Sequence, residues 1–169
     1  MINRLHAILL GLCLTLLMSA CGVGAGGTAP PTTTPPATAT KAILKVSTAN
    51  VPSGTLVGGV QISIVLPAGV TPSVLSGNDA SGSVVAAVSG ALAASSYDTS
   101  TRTLQHIMAS LAGFPSGEFL TITCSIAAGT TVTAADFPTQ ATIISLVDSS
   151  NNPNNSIPGA TCPISVTFQ

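Results

Sequence analysis

The sequence predicts an all-β domain, an antiparallel β-sandwich of about eight or nine strands. Three observations lead to this prediction. Apolar and polar residues alternate with a period of two in several segments, many of the apolar positions are β-branched, and Gly, Pro and Asn separate the segments. Of the 169 residues 46% are hydrophobic, which is enough for a core, and only 5% are charged. Thr, Ser, Asn and Gly must therefore form most of the polar surface.

The alternation identifies the strands of the predicted sandwich. It is clearest in KAILKVST (41–48), GVQISIVLP (59–67), EFLTITCSI (118–126) and CPISVTF (162–168). In these segments every second residue, starting at Ala42, Val60, Leu120 and Cys162, is predicted to face the core. TQATIISLVD (139–148) is predicted to be a further strand.

The middle of the chain, residues 83–112, has a mixed pattern. Its Ala and Leu residues favour a helix, whereas its Ser, Thr and Val residues and its turn signals favour strands. We interpret 83–90, 91–98 and 101–111 as strands separated by turns at Ser89-Gly90 and Asp98-Thr99. A short helix inside this region is the alternative.

The N-terminal 20 residues have the three parts of a secretory signal. Arg4 supplies a positive charge, an apolar run extends from Ala7 to Met18, and small residues precede Cys21. This arrangement resembles the bacterial lipoprotein signal, and the resemblance implies that Cys21 is diacylated and becomes the mature N-terminus. The alternative is an ordinary signal peptide cut near Cys21.

Residues 21–40 are predicted to be a linker, because they are rich in Gly, Pro and Thr and show no apolar period. The domain then occupies residues 41–169. By resemblance to enteric sorting rules, Gly22 after the lipidated cysteine implies the outer membrane. We therefore expect a protein of the cell envelope, anchored to the membrane by its lipid and facing either the periplasm or the exterior.

Three stretches of the domain resemble the cohesin family. They are NVPSGTLVGGVQISIVLPAGVTP (50–72), SGEFLTITCSIAAGTTVTAADF (116–137) and DSSNNPNNSIPGATCPISVTF (148–168). The resemblance implies a nine-stranded jelly roll, related in fold to some carbohydrate-binding modules, that binds a dockerin module or another partner. The predicted strand faces are short of charge and aromatic residues, so dockerin binding and binding residues are not carried over.

The cysteines have separate expected roles. Cys13 lies in the signal and Cys21 carries the lipid, which leaves Cys124 and Cys162 in the domain. In an oxidising compartment these two could form a disulfide that closes a loop of about 38 residues, or they could be separate buried thiols. Two distant cysteines without a nearby His do not make a zinc site, so we expect no metal.

The predicted domain has few residues suited to catalysis. They are His106, Asp79, Asp98, Glu118, Asp136 and Asp148. No Gly-x-Ser-x-Gly motif marks a nucleophile, and the scarcity of aromatic residues argues against a glycosidase. We interpret His106 as a surface or rim residue on a strand, and Asp98 and Asp136 as turn-capping residues. No enzymatic activity and no cofactor is expected.

The segment DSSNNPNN (148–155) has two interpretations. Asp148 and the Asn oxygens could hold calcium weakly, but the segment lacks the acidic density and the glycine of an EF-hand loop. We interpret it as a polar hairpin tip.

These observations predict a non-catalytic module that binds a protein or a polysaccharide. The alternative is a structural envelope lipoprotein associated with a larger membrane or secretion complex. Exposed loops would indicate the first role, and an apolar sheet face or edge the second. Nucleic acid is not an expected partner, because the net charge is −1 and no basic cluster is present.

Overall fold

The structure, a computed structural model, describes residues 38–150 and 156–169. Within these ranges the chain forms nine β-strands, two 3-10 turns and no α-helix. The strands are β1 (Lys41–Thr48), β2 (Val57–Val65), β3 (Val70–Pro72), β4 (Val84–Ala86), β5 (Leu92–Asp98), β6 (Thr103–Phe114), β7 (Gly117–Ile126), β8 (Thr142–Asp148) and β9 (Ile164–Phe168). The predicted all-β class is confirmed, and the mixed region 83–112 forms strands rather than a helix.

The strands form two antiparallel sheets. In the first sheet the order is β3-β7-β1-β9, and β4 pairs with β7 beyond the end of β3. In the second sheet the order is β5-β6-β2-β8, so β5 and β8 are its edge strands. Each of the strand pairs is antiparallel. Side chains from both sheets belong to one buried apolar cluster, which is the arrangement of a β-sandwich.

The predicted inward phase of the strands is confirmed in β1, β2 and β7. In the predicted segments, every second residue counted from Ala42, Val60 and Leu120 is less than 9% exposed. In β9 the alternate positions Ile164, Val166 and Phe168 are half-buried and pack against the same cluster. The alternation therefore identified the core face correctly wherever the strand is regular.

Phe119 departs from that phase. It was predicted to face away from the core, but it is fully buried and its ring lies 6.1 Å from that of Phe114. The register explains this result, because Val46 pairs with Leu120 whereas Ser47 pairs with Glu118. Phe119 is thus the extra residue of a β-bulge, which breaks the period of two and turns consecutive side chains inward.

Strand β3 was not among the strands predicted from the sequence. Its three residues pair with the end of β7, and Val70 is fully buried. Three residues are too short for an alternation to be visible in the sequence.

Candidate functional site

The most unusual surface of the domain is the outer face of β5 and β6. Leu92, Ile107 and Leu111 lie there with exposed fractions of 80%, 51% and 103%. Leu92 pairs with Ala109 across the two strands, and Ile107 and Leu111 are the residues two before and two after Ala109. We call Leu92, Ile107, Ala109 and Leu111 the apolar patch.

The neighbouring strand leaves this patch uncovered. On the β2 side, the residue paired with Ala109 is Gly59, which has no side chain. A Cβ atom added at Gly59 would lie 3.1 Å from Val147 Cγ2, so a larger residue would crowd that neighbour. Because Gly59 has no side chain, nothing projects from β2 beside Ala109.

A shallow depression of about 370 Å³ adjoins the apolar patch. It is lined by Ser89, Gly90, Leu92 and residues 109–112. No charged and no aromatic side chain lines it. Its chemistry suits an apolar side chain of a partner better than an ion or a sugar ring.

The opposite end of the same sheet face is polar. A depression of about 430 Å³ there is lined by Asn78, Ser96, Asp98, Thr101, Thr103 and Gln105. The Oδ1 atom of Asp98 accepts hydrogen bonds from the Ser100 amide at 2.8 Å and from the Ser100 hydroxyl at 2.7 Å. The face therefore changes from polar to apolar along β5 and β6.

The outer face of the other sheet is different in character. Lys45 and Glu118 form an ion pair there at 3.0 Å, and Lys41 is also exposed. Thr121, which accompanies them on β7, donates a hydrogen bond to Glu118 Oε1. This face is charged and rich in hydroxyl groups, although Val85 of β4, which pairs with Thr121, is 66% exposed there.

His106 lies beneath the β5–β6 face, and the prediction that it is a surface or rim residue is wrong. It is on a strand as expected, but it occupies the inward phase of β6 and is 1% exposed. Its Nδ1 atom is 2.9 Å from Ser95 Oγ on β5, and its Nε2 atom is buried without a hydrogen-bond partner. Burial lowers the pKa of His106 from 6.5 to about 4. The ring is therefore neutral near pH 7.

The described carboxylates hold local structure. Asp98 and Asp136 cap turns as predicted, and Asp136 Oδ2 accepts the Thr133 amide at 2.7 Å. Asp79 accepts the Ser81 amide at 2.9 Å. These hydrogen bonds lower the pKa of each of the three carboxyl groups. Among the described residues none of these carboxylates is hydrogen-bonded to His106, whose Nδ1 atom contacts Ser95 Oγ and whose Nε2 atom has no partner.

Cys124 and Cys162 are both buried and both are free thiols in the structure. Cys124 is on β7, where it pairs with Ala42 of β1. Cys162 lies on the other side of β1, two residues before Ile164, and Ile164 pairs with Val46. Cys162 is therefore next to the opposite end of β1. This register separates them by about 20 Å along β1, because each residue of a strand advances about 3.3 Å. A disulfide needs Cα atoms within about 7 Å.

Burial also determines the chemistry of these thiols. It raises the pKa of Cys124 to about 12 and that of Cys162 to about 11. Both side chains therefore remain protonated and pack as small apolar groups, which was the second of the two alternatives.

Several predicted features lie outside the described residues. They are the signal at 1–20, Cys13, Cys21 and nearly all of the linker at 21–40. Residues 151–155 of the DSSNNPNN segment also lie outside, while Asp148 Oδ1 accepts the Ser150 amide at 2.9 Å. In the described part of the chain, no helix is long and apolar enough to span a membrane. The same part contains no group of three or more His, Cys, Asp and Glu side chains placed to hold a metal.

Comparison with protein-family models, curated proteins and solved structures gives no match to this chain. The fold and the surfaces described above are therefore the basis for a functional proposal.

Proposed function

We propose that this chain is a non-catalytic protein-binding module of the cell envelope, anchored to the membrane through a lipid on Cys21. The apolar patch is its contact surface. The observation that carries the proposal is the exposure of Leu92, Ile107 and Leu111 together on one sheet face. Contiguous apolar surface of this kind is a property of sites that a partner covers.

The chemistry of the patch favours a protein partner over a polysaccharide. Sugar rings are held by exposed aromatic platforms and by convergent polar side chains. Here Tyr97, Phe114, Phe119 and Phe137 are at most 4% exposed, and Phe168 packs against the core. The patch and its depression offer Leu, Ile, Ala and Gly instead. We therefore infer that the partner presents an uncharged, apolar segment or face.

The position of the patch also supports the alternative role, a structural lipoprotein within a larger membrane or secretion complex. The exposed apolar side chains lie on a sheet face rather than on loops, and Leu111 is 103% exposed. A surface of this kind is well suited to lasting burial against another subunit. The two roles share the same contact surface and differ in whether the partner dissociates.

Binding by the patch can be tested with two variants of the full chain. The double variant L92S/L111S removes two exposed Leu side chains. The variant V85S is the control, because Val85 is 66% exposed but belongs to the other sheet. Since burial of a Leu side chain contributes about 1.5 kcal/mol or more, we expect the double variant to bind the partner about 100-fold more weakly.

The measurement is retention of host envelope proteins on immobilised full chain at pH 7, followed by titration of the retained protein. A protein that wild type and V85S retain equally and L92S/L111S does not retain supports the proposal. Equal retention by all three, or no retention by wild type, contradicts it. Dissociation within minutes distinguishes an exchanging partner from a permanent subunit.

A further inference from the structure

We propose that His106 makes the apolar patch sensitive to acid. Protonation of the buried ring releases β5 from β6 and so takes the patch apart. The inference rests on the proposed function for the role of the patch, but the structural change that it describes is a property of the chain alone.

The position of His106 connects it to both strands of the patch. It is on β6, where it pairs with Ser95 of the edge strand β5 and with Ile62 of the central strand β2. The Ser95 Oγ to His106 Nδ1 contact of 2.9 Å therefore joins the two strands that carry the patch. On the outer face of β6, the next residue is Ile107, which belongs to the patch.

The buried site can accommodate a neutral imidazole but not a cation. Both ring nitrogens of a protonated His are donors. Ser95 Oγ can accept one of these hydrogen bonds, but Nε2 is buried without an acceptor. An uncompensated buried charge is strongly disfavoured, so protonation requires the ring to reach water.

No charged side chain compensates for that cation inside the sandwich. The inward-facing residues of the nine described strands are apolar or neutral, and the buried polar side chains are Thr48, Ser83, His106 and Ser110. The other titratable groups that face the interior are Tyr97 of β5, Cys124 of β7, and Cys162, which precedes β9. Burial raises the pKa of each of them, so all three are neutral throughout the acid range.

Strand β5 is the strand that can separate from the sheet at the lowest cost in free energy. It has seven residues, of which only Tyr97 is buried. One edge pairs with β6. Among the described residues, the other edge is hydrogen-bonded by residues 78–80, through Ala80 N–H to Ser95 O and Tyr97 N–H to Asn78 O. In contrast, β2 lies between β6 and β8. Edge strands with few buried side chains open locally more readily than central ones.

Opening of β5 separates the members of the patch, because Leu92 is on β5 and its paired residue Ala109 is on β6. If the ring titrates at about 4 when buried and at 6.5 when hydrated, the ratio of open to closed protein rises about 20-fold from pH 7 to pH 5. A partner bound across both strands opposes the opening, so acid and partner act against each other.

The chain contains a natural reporter for this motion. The sequence has one tyrosine, Tyr97, and no tryptophan. Tyr97 is on β5 and its side chain is buried. We would measure acrylamide quenching of tyrosine fluorescence in the full chain from pH 7 to pH 4.5, with far-ultraviolet circular dichroism in parallel. We expect quenching to increase severalfold while the β-sheet signal is retained.

The matched variant is His106→Gln, which keeps a polar side chain at this position but cannot be protonated. Its quenching is expected to stay constant over the same pH range. The proposal is overturned if Tyr97 of the wild type stays protected down to pH 4.5, if the β-sheet signal is lost together with the protection, or if His106→Gln responds as the wild type does. Where the variant does not fold, a wild type in which Tyr97 stays protected down to pH 4.5 still overturns the proposal.

This test separates the inference from the proposed function. Acid opening is measured without a partner, and L92S/L111S is expected to open as the wild type does although it has lost binding at pH 7. A chain that binds through the patch at pH 7 but never exposes Tyr97 would retain the proposed function and lose only the switch.

Discussion

The substitution Ile62→Ala is expected to lower the free energy of unfolding by about 2–5 kcal/mol, whereas Ile107→Ala is expected to lower it by less than about 1 kcal/mol. Ile62 on β2 pairs with His106, the residue that precedes Ile107 on β6. The two isoleucines thus lie on adjacent strands but on opposite faces of one sheet. Ile62 is fully buried between the sheets, and Ile107 is 51% exposed.

Comparing the stability of these two variants tests which residues of the second sheet face the core. Removing the Ile62 side chain leaves a cavity in the shared core, whereas removing that of Ile107 reduces apolar surface that is already half in water. The measurement is urea denaturation of the two full-chain variants, monitored by circular dichroism. Because a slip of one residue would exchange the two faces, equal losses or a larger loss for Ile107→Ala would contradict the register described here.

The second large effect is acid destabilisation through His106. Between pH 6.5 and pH 4 the free energy of unfolding is expected to fall by up to about 3 kcal/mol, at 1.36 kcal/mol per pKa unit. The pKa of His106 is lower in the folded state than in the unfolded chain, so the unfolded state binds the proton first. The stabilisation is therefore fully present above pH 6.5 and is lost as the pH falls towards 4.

Urea denaturation at intervals across this window measures the loss, with His106→Gln as the control. That variant is expected to be less stable at pH 7, and its stability is expected to change little down to pH 4.5. The described Asp and Glu residues with lowered pKa values contribute mainly nearer to pH 4 and below, so the two contributions can be separated. A wild type that is equally stable at pH 7 and pH 4.5 would contradict a buried neutral His106.

Much of the fold could be predicted because regular strands record their buried face as a period of two. The alternation in β1 and β2 identified inward residues such as Leu44 and Ile62 from the sequence alone. The prediction failed where that period is interrupted or too short to detect. The bulge at Phe119 places an extra residue in β7, and β3 has only three residues.

The candidate site was harder to predict, because it depends on which strands are neighbours. Leu92 and Leu111 lie in the segment with the mixed pattern, and nothing local to either residue indicates that β5 pairs with β6 through Ala109. His106 was misassigned for a related reason. It falls in phase with Leu104 and Met108, both of which are buried, but a polar residue in a strand was taken to face solvent. The alternation in TLQHIMAS could have identified it as inward-facing.

The central claim is that a protein covers the apolar patch in the envelope. The most direct test places a photocrosslinking amino acid at position 111 or at position 85 of the full chain, produced in its own host. We predict a discrete crosslinked protein from position 111 that is absent from position 85, where the side chain is also exposed but lies on the other sheet. Identical products from both positions, or none from position 111, would contradict the claim.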